Sequence, residues 1–508
     1  MSLDAAGLQV LISRLGGIAD EMGAVLRRSA SSPNIKERAD CSAAVFTADG
    51  ELLAQAEHIP VHLGSMPASV RAAIDAYGDR LEPGEHVLLN DPFAGGTHLN
   101  DLTLVTPAFV DGRIVGWAAN RAHHADVGGS APGSIPADAT EIQQEGLRIP
   151  PSRLSPEVRG LLLAASRTPD ERVGDLDAQV GANVLGAERL AALADQPLDD
   201  VVAYGERRMR AVLGVLPNGT WTFEDVLDST GAAPDQQHPV PIVVSVTVEG
   251  DEITFDFTGS APQSRGNVNA VEAVTLSSVA FALRAAVDPT IPANGGSMRP
   301  VHVIAPAGTI VAAQPPAAVG AGNVEVSQRI ADVCLGALAQ LMPPGRVGAA
   351  SQGTMNNLLM GGEGWVYYET VGGGEGAFPW RPGQSGVHTA MTNTKNTPIE
   401  ALERAFPLRV RRYRLREGSG GPGAQPGGDG IERDLEVLED CTVSLITERR
   451  VSRPWGLNNG GPGAAGENWI LPGGFERLAK RLPDKCTLRV HAGDIIRMLT
   501  PGGGGAGV

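Results

Sequence analysis

Residues Asn90–Gly129 hold two strand-like runs joined by Asp111-Gly112, and this hairpin constrains the chain more than any other stretch. Leu102–Thr106 and Arg113–Ala119 are short, apolar and rich in β-branched or aromatic residues. Asp-Gly between such runs is a strong two-residue turn signal. Folding about that turn brings the start of the first run beside the end of the second. Asp101 is then expected opposite Ala122, with His123 one residue further out. His98 lies three positions before Asp101, just after the Gly95-Gly96-Thr97 loop. Two imidazoles and one carboxylate gathered this way make a set with open coordination positions for one divalent transition metal. Each residue alone has a blander reading, as a solvated loop histidine or a turn cap. Their joint placement at one end of a hairpin favours the metal. His124 and Asp126 are reserve ligands if the register moves by a residue, and alternation sends His123 and His124 to opposite sides.

The chain has 508 residues, 42% of them hydrophobic, which suffices for a sizeable core. Its 65 glycines cluster between apolar runs, a pattern of turns and close backbone approaches rather than of disorder. A net charge of −17 argues against nucleic acid or an anionic membrane as a partner. The one basic run, Arg409–Arg416, interleaves charge with apolar residues and reads as a strand with a solvated basic face. Cys41, Cys334, Cys441 and Cys486 form no Cys-x-x-Cys pair, so buried free thiols are expected. No signal peptide and no bilayer-spanning apolar run is visible, which makes a cytoplasmic location the default expectation.

The patterning predicts an α+β fold, a large multi-region body with mixed and antiparallel sheets. An N-terminal region, 1–216, carries the candidate metal site; a middle α+β region covers 217–345, and a β-rich, Gly-rich region covers 346–508. The first begins with an amphipathic helix up to Ser32-Pro33-Asn34. A hairpin of Ala43–Phe46 and Leu52–Ala56 follows, then a helix over Met66–Tyr77, a short strand Val87–Leu89, and helices over Ser155–Val215. Ile242–Val248 and Glu252–Phe257 predict another hairpin, and Val271–Val287 and Val326–Leu341 predict long buried helices. The chain has neither a phosphate-binding G-x-x-x-x-G-K-[ST] loop nor a G-x-S-x-G elbow, so it shows no nucleotide site of its own and disfavours a serine hydrolase.

Several long motifs occur in one order along the chain: SPNIKERAD (Ser32–Asp40), AEHIPVHLGSMP (Ala56–Pro67), NDPFAGGTHLND (Asn90–Asp101), NRAHHADVGG (Asn120–Gly129) and TEIQQEGLRIPP (Thr140–Pro151). FDFTGSAPQSRGNVN (Phe255–Asn269), GTMNNL (Gly353–Leu358), VHTAMTNTKNTPIEALE (Val387–Glu403) and PWGLNNGGPG (Pro454–Gly463) continue the series. With these the chain resembles the hydantoinase B family, which includes the C-terminal half of 5-oxoprolinase and a subunit of acetone carboxylases. It looks closest to an N-methylhydantoinase B-type subunit.

The resemblance implies that the metal, one of manganese, iron or zinc, is held by His98, Asp101 and His123. It implies that ATP and Mg are bound by a partner, an ATP-binding A-type subunit, so that a hetero-oligomer is expected. It implies a small cyclic amide substrate such as a hydantoin, oxoproline or another lactam. Phosphorylation on the partner would activate the ring carbonyl, and a metal-bound water would open the ring. GGTHLND is closer to the hydantoinase and oxoprolinase pattern than to the GAPHQTD-like pattern of acetone carboxylases, which favours hydrolysis over the alternative, ketone carboxylation. A non-catalytic assembly subunit is the third reading. Relatives commonly continue past the glycines where this sequence stops at PGGGGAGV. Catalytic roles around the metal are expected of Asp126, as a partner of His123 or a proton shuttle, and of His124 and Glu145. His58, His62, Glu141, Arg148 and His388 are weaker candidates for lining or closing the site.

Overall fold

The computed structural model describes residues 3–56, 59–62 and 64–507. Its architecture is α+β, with four sheets and helices between them. The expected hairpin forms as β4 (Asp101–Val110) and β5 (Arg113–His123), longer at both far ends than the apolar runs. It sits in the middle of a six-stranded sheet of order β2-β1-β5-β4-β3-β6, with β1 (Cys41–Thr47), β2 (Leu52–Ala56), β3 (Val87–Leu89) and β6 (Ser152–Arg153). Asp111 and Gly112 both have positive φ, 49° and 76°, as a type I′ turn demands.

The register departs from the expectation by one residue. Val110 pairs with Arg113 and Phe109 with Ile114, but Ala108 pairs with Gly116. Val115 is therefore the extra residue of a β-bulge. Every pair beyond it moves by one, so Asp101 faces His123 and not Ala122. Gly116 follows the bulge, where a Cβ would meet both the Phe46 carbonyl oxygen and Leu190 Cδ2 at 2.6 Å.

This sheet is covered on both faces. Helix Ala5–Ser29 is capped by Asp4, whose Oδ1 accepts from Gly7 N at 2.7 Å. Leu11, Leu15, Ile18, Met22 and Leu26 recur at helical spacing and pack with helix Pro169–Ala191 onto Ala43, Val45, Ala118 and Ala122. Helix Met66–Ala76 covers the other face at Ala44, Phe46, Val105, Trp117 and Ala119. The alternation of β1 between these two lists explains why the whole strand is buried.

The second sheet runs β10-β9-β8-β7, with β7 (Gly219–Leu227), β8 (Val240–Glu249), β9 (Glu252–Asp256) and β10 (Val301–Ile304). The β9–β10 pair is parallel. Val244, Val246, Ile253 and Phe255 pack against helices Glu272–Ala286 and Ser327–Leu341 through Leu283, Ile330, Val333 and Leu338. The two remaining sheets are β12-β11-β15-β18 and β13-β14-β19-β16-β17. Their strands are β11 (Asn357–Gly362), β12 (Trp365–Thr370), β13 (Leu408–Arg416), β14 (Gly430–Val437), β15 (Cys441–Ile446), β16 (Glu467–Leu471), β17 (Lys480–Leu482), β18 (Lys485–Val490) and β19 (Ile495–Leu499). They close on each other over Leu358, Tyr367, Val443, Leu435 and Met498.

The basic run is the edge strand β13, its arginines paired with Glu432 and Glu436 of β14 and Glu467 of β16. All four cysteines are buried and free. No helix among the described residues is long and apolar enough to cross a membrane.

A buried charge cluster ties the second sheet to the third. Arg449, just after β15, reaches Asp225 of β7 at 2.6 Å and Asp332 of helix Ser327–Leu341 at 2.8 Å. Arg329 of that helix also meets Asp225, at 3.0 Å. Removing one partner of such a set strands the opposite charges in a medium that solvates them poorly. Arg449→Met should lower the unfolding free energy by about 3–5 kcal/mol in denaturant titration. A loss below about 1 kcal/mol would show that solvent relieves the two aspartates.

Candidate metal centre

Asn90–Gly96 sets where His98 begins. Asn90 braces the segment, its amide donating to the Leu99 and Leu147 carbonyls at 2.7 and 2.9 Å and its oxygen accepting from Ile149 N at 2.6 Å. Gly95 turns the chain at φ 93°, where a Cβ would meet the Ala68 carbonyl oxygen at 2.6 Å. Asp101 N then donates to the His98 carbonyl at 3.1 Å, a turn that lays the His98 ring over the start of β4.

The bulged register supplies the rest. His98 Nε2 lies 3.1 Å and His123 Nδ1 3.4 Å from Asp101 Oδ1. One ligand-type atom from each of His98, Asp101 and His123 falls within 4.8 Å of the other two. All three residues are at most 3% exposed. Both nitrogens of His98 and Nε2 of His123 have no hydrogen-bond partner among the described residues. Buried polar atoms are rarely left so. A cation taking a lone pair from one nitrogen of each ring would satisfy part of this set, and the donors suit a transition metal.

The electrostatics agree. Burial would raise the Asp101 carboxyl, but His98, His123 and His62 around it hold it well below the usual carboxylate range. Burial pulls His123 down to about 3, so its ring is neutral at neutral pH, the form that offers a lone pair. His62 Nε2 lies 3.5 Å from Asp101 Oδ2, and its Nδ1 meets Ser42 Oγ at 2.9 Å. Thr97 Oγ1 donates to Asp101 Oδ2 at 2.6 Å, and Asn323 Nδ2 approaches the same oxygen at 3.4 Å. Asp101 Oδ1 is thus left toward the two imidazoles.

His123 is fixed from behind. Its ring stacks on Tyr368 of β12 at 4.6 Å, and the Arg38 guanidinium lies over the Tyr368 ring at 4.7 Å. Arg38 also donates to the Tyr368 carbonyl and to Thr370 Oγ1, at 2.8 and 3.0 Å. Asn34 Nδ2 donates to the His123 carbonyl at 2.6 Å. Sequence reasoning did not place Asn34, Arg38, Thr97, Asn323 or Tyr368 here. Only Thr97 is a near neighbour in sequence.

The other candidates fall elsewhere. His124 points to the opposite side of the strand, where its Nε2 meets Gln179 Oε1 at 2.9 Å. Asp126 does not bond His123. Its carboxylate accepts from Gly128 N, Gly133 N, Arg167 N and Arg167 Nη1 at 2.9–3.2 Å, and so clamps a loop. Glu145 is buried and accepts from Val319 N and Gly320 N at 3.1 and 2.8 Å. It pins the chain leading into the π-helical turn Gly322–Val326, which presents Asn323 to Asp101. Arg148 lies half-exposed, 3.6 Å from Asp91. Glu141 caps the short turn Ile142–Gln144. His388 lines a separate cavity. His58 lies outside the described residues.

The Hydantoinase B/oxoprolinase family model matches residues 4–508. Uncharacterized protein MJ0963 of Methanocaldococcus jannaschii is 42% identical, over 99% of this chain and 91% of that one. 5-Oxoprolinase 1 of Arabidopsis thaliana is 38% identical over 99% of this chain, which spans only 42% of that protein. Among solved structures, the ATP-dependent caprolactamase from Pseudomonas jessenii superimposes with a TM-score of 0.91 at 26% identity, covering 100% of this chain and 92% of that one.

Glu145 gives a test of the second layer. Burial raises its carboxyl from 4.5 to about 7, against the two backbone donors that favour its charge. The folded chain thus keeps a proton that the unfolded chain has released. Its contribution to stability is full below pH 4.5 and is lost as pH rises through about 7. Glu145→Gln should therefore flatten the fall in unfolding free energy between about pH 5 and about pH 8. An unchanged slope would mean that Glu145 is already ionised at the lower pH.

Proposed function

The chain belongs to the hydantoinase B/oxoprolinase family, and we propose that it is the metal-bearing subunit of an ATP-dependent cyclic amide hydrolase. The observation that carries this reading is the buried meeting of His98, Asp101 and His123, with orphaned imidazole nitrogens and a carboxylate held ionised.

His98, Asp101 and His123 would hold one divalent transition metal. A bound cation supplies Lewis acidity and makes water a nucleophile near neutral pH. This chain's residues prepare the ground for it. Thr97 and Asn323 fix Asp101, Tyr368 fixes the His123 ring, and burial keeps that ring neutral. His62, beside Asp101 and bonded to Ser42, is placed to hold or pass a proton at Nε2. His124, Asp126 and Glu145 act as positioning residues through their hydrogen bonds to Gln179, Arg167 and the Val319–Gly320 backbone.

An unstrained amide carbonyl is a poor electrophile, so ring opening needs activation. Phosphorylation of the carbonyl oxygen by an ATP-binding partner supplies it, and ATP hydrolysis draws the ring-opening equilibrium forward. The chain spans about two fifths of 5-oxoprolinase 1, which leaves room in that longer protein for the part assigned here to a partner. The substrate class follows the names of the relatives.

Elemental analysis of the purified chain tests this. A near-stoichiometric transition metal is expected in the wild type and should be lost in His98→Ala and in Asp101→Ala, with near-UV circular dichroism unchanged. Ring opening, assayed with the ATP-binding partner present, should fall at least about 10³-fold in both variants. Full metal occupancy in His98→Ala would overturn the ligand assignment.

A further inference from the structure

Arg121 stands beside the cluster and belongs to no ligand set. Its pair with Thr103 lies two ladder positions from the Asp101–His123 pair, on the same face of the sheet. Asp101 and Arg121 are diagonal neighbours there, with backbones about 7–8 Å apart. Asp101 is the acid whose charge reaches the guanidinium.

Arg121 is fully buried, as are the three side chains it bonds. Its Nε donates to Thr103 Oγ1 at 2.8 Å, its Nη2 to Ser69 Oγ at 2.7 Å, and its Nη1 to Ser65 Oγ. Ser65 and Ser69 spend their own protons on the Val61 and Gly95 carbonyls, at 3.1 and 2.5 Å. Four other buried arginines, Arg172, Arg329, Arg433 and Arg449, each reach a carboxylate. Among the described residues, Arg121 reaches neutral hydroxyls only. Ser65 is the N-cap of helix Met66–Ala76 and Ser69 lies in its first turn, at the end of the helix dipole that repels a cation.

A guanidinium keeps its charge in a protein. This one is therefore held in place by three hydroxyls and cancelled by none of them. A cation gathered at Asp101 meets that charge in two ways. The field of Arg121 opposes it directly, in an interior that screens poorly. Arg121 also draws on the negative charge of Asp101, which would otherwise go to the metal. A metal less fully neutralised by its surroundings is the stronger Lewis acid.

We propose that Arg121 is a positioning residue whose charge loosens the hold of His98, Asp101 and His123 on their cation and keeps that cation electron-demanding. The proposal rests on the metal reading above.

Metal occupancy of the full chain, equilibrated in buffers of fixed free zinc or manganese and read by elemental analysis, tests it. Arg121→Gln and Arg121→Met should each bind the ion about tenfold more tightly than the wild type. Arg121→Lys keeps the charge without the planar fork, and should stay within about twofold of the wild type. Near-UV circular dichroism checks that each variant is folded. At saturating metal, with the ATP-binding partner present, kcat for ring opening should fall about tenfold in the neutral variants while KM holds. Unchanged metal affinity in both neutral variants would overturn the proposal. Weaker binding in all three variants would also overturn it, leaving Arg121 as a brace for the turns at Val61 and Gly95. A raised KM with kcat unmoved would make Arg121 a substrate contact instead. A wild type that takes up no metal sinks this proposal and the proposed function together, whereas a metal-bearing wild type with unmoved variants sinks this one alone.

Discussion

The pairing of Asp101 with His123 across β4 and β5 is the contact on which the rest of the centre depends. It results from one bulged residue, Val115, in a sheet packed on both faces. Without the bulge, Asp101 would face Ala122 and His123 would stand beyond the end of the strand. With it, a carboxylate and an imidazole share one ladder position at the hairpin's open end. Packing on both faces then holds the register, because a slip would exchange the side chains fitted to one core with those fitted to the other.

Around that pair the chain builds in two ranges. His98 and Thr97 come from the adjacent turn, and Asn34 and Arg38 arrive from just before β1. Asn323 and Tyr368 come from more than 200 residues away. The distant residues act on orientation. One holds a carboxylate oxygen, and the other presents a flat aromatic face to an imidazole whose neutral form burial already favours. A ring stacked at an interplanar angle of 13° has little freedom to tilt, and that narrows where its lone pair can aim.

Much of the near range was legible in the sequence. The Asp111-Gly112 turn, the two apolar runs and the position of His98 told which residues could meet. Residue-by-residue alternation separated His123 from His124. The bulge was not legible, since nothing in Ile114-Val115-Gly116 marks which residue goes unpaired until β1 and the helix over Gly116 are in place. No strand was expected over Gly219–Leu227, which forms β7 and includes the mostly buried Asp225. Asp225 is tolerated there by Arg329 and Arg449, which lie 104 and 224 positions away. Asp126 was expected as a partner of His123 or a proton shuttle, whereas its carboxylate accepts from Arg167. No local pattern announces such distant pairings.

The division between near and far has a consequence for the order of assembly. Asp101 and His123 are 22 positions apart and joined by a tight turn, so a short hairpin can bring them together on the microsecond scale. The pieces that bury them must close loops of hundreds of residues, which is far slower. In the finished fold the cluster is at most 3% exposed. Any ion it holds thus has its widest entrance while the hairpin has formed and Tyr368 and Asn323 have not yet arrived. Loading is then a race between capture and closure, and a chain that folds in a metal-poor medium would shut its site around nothing.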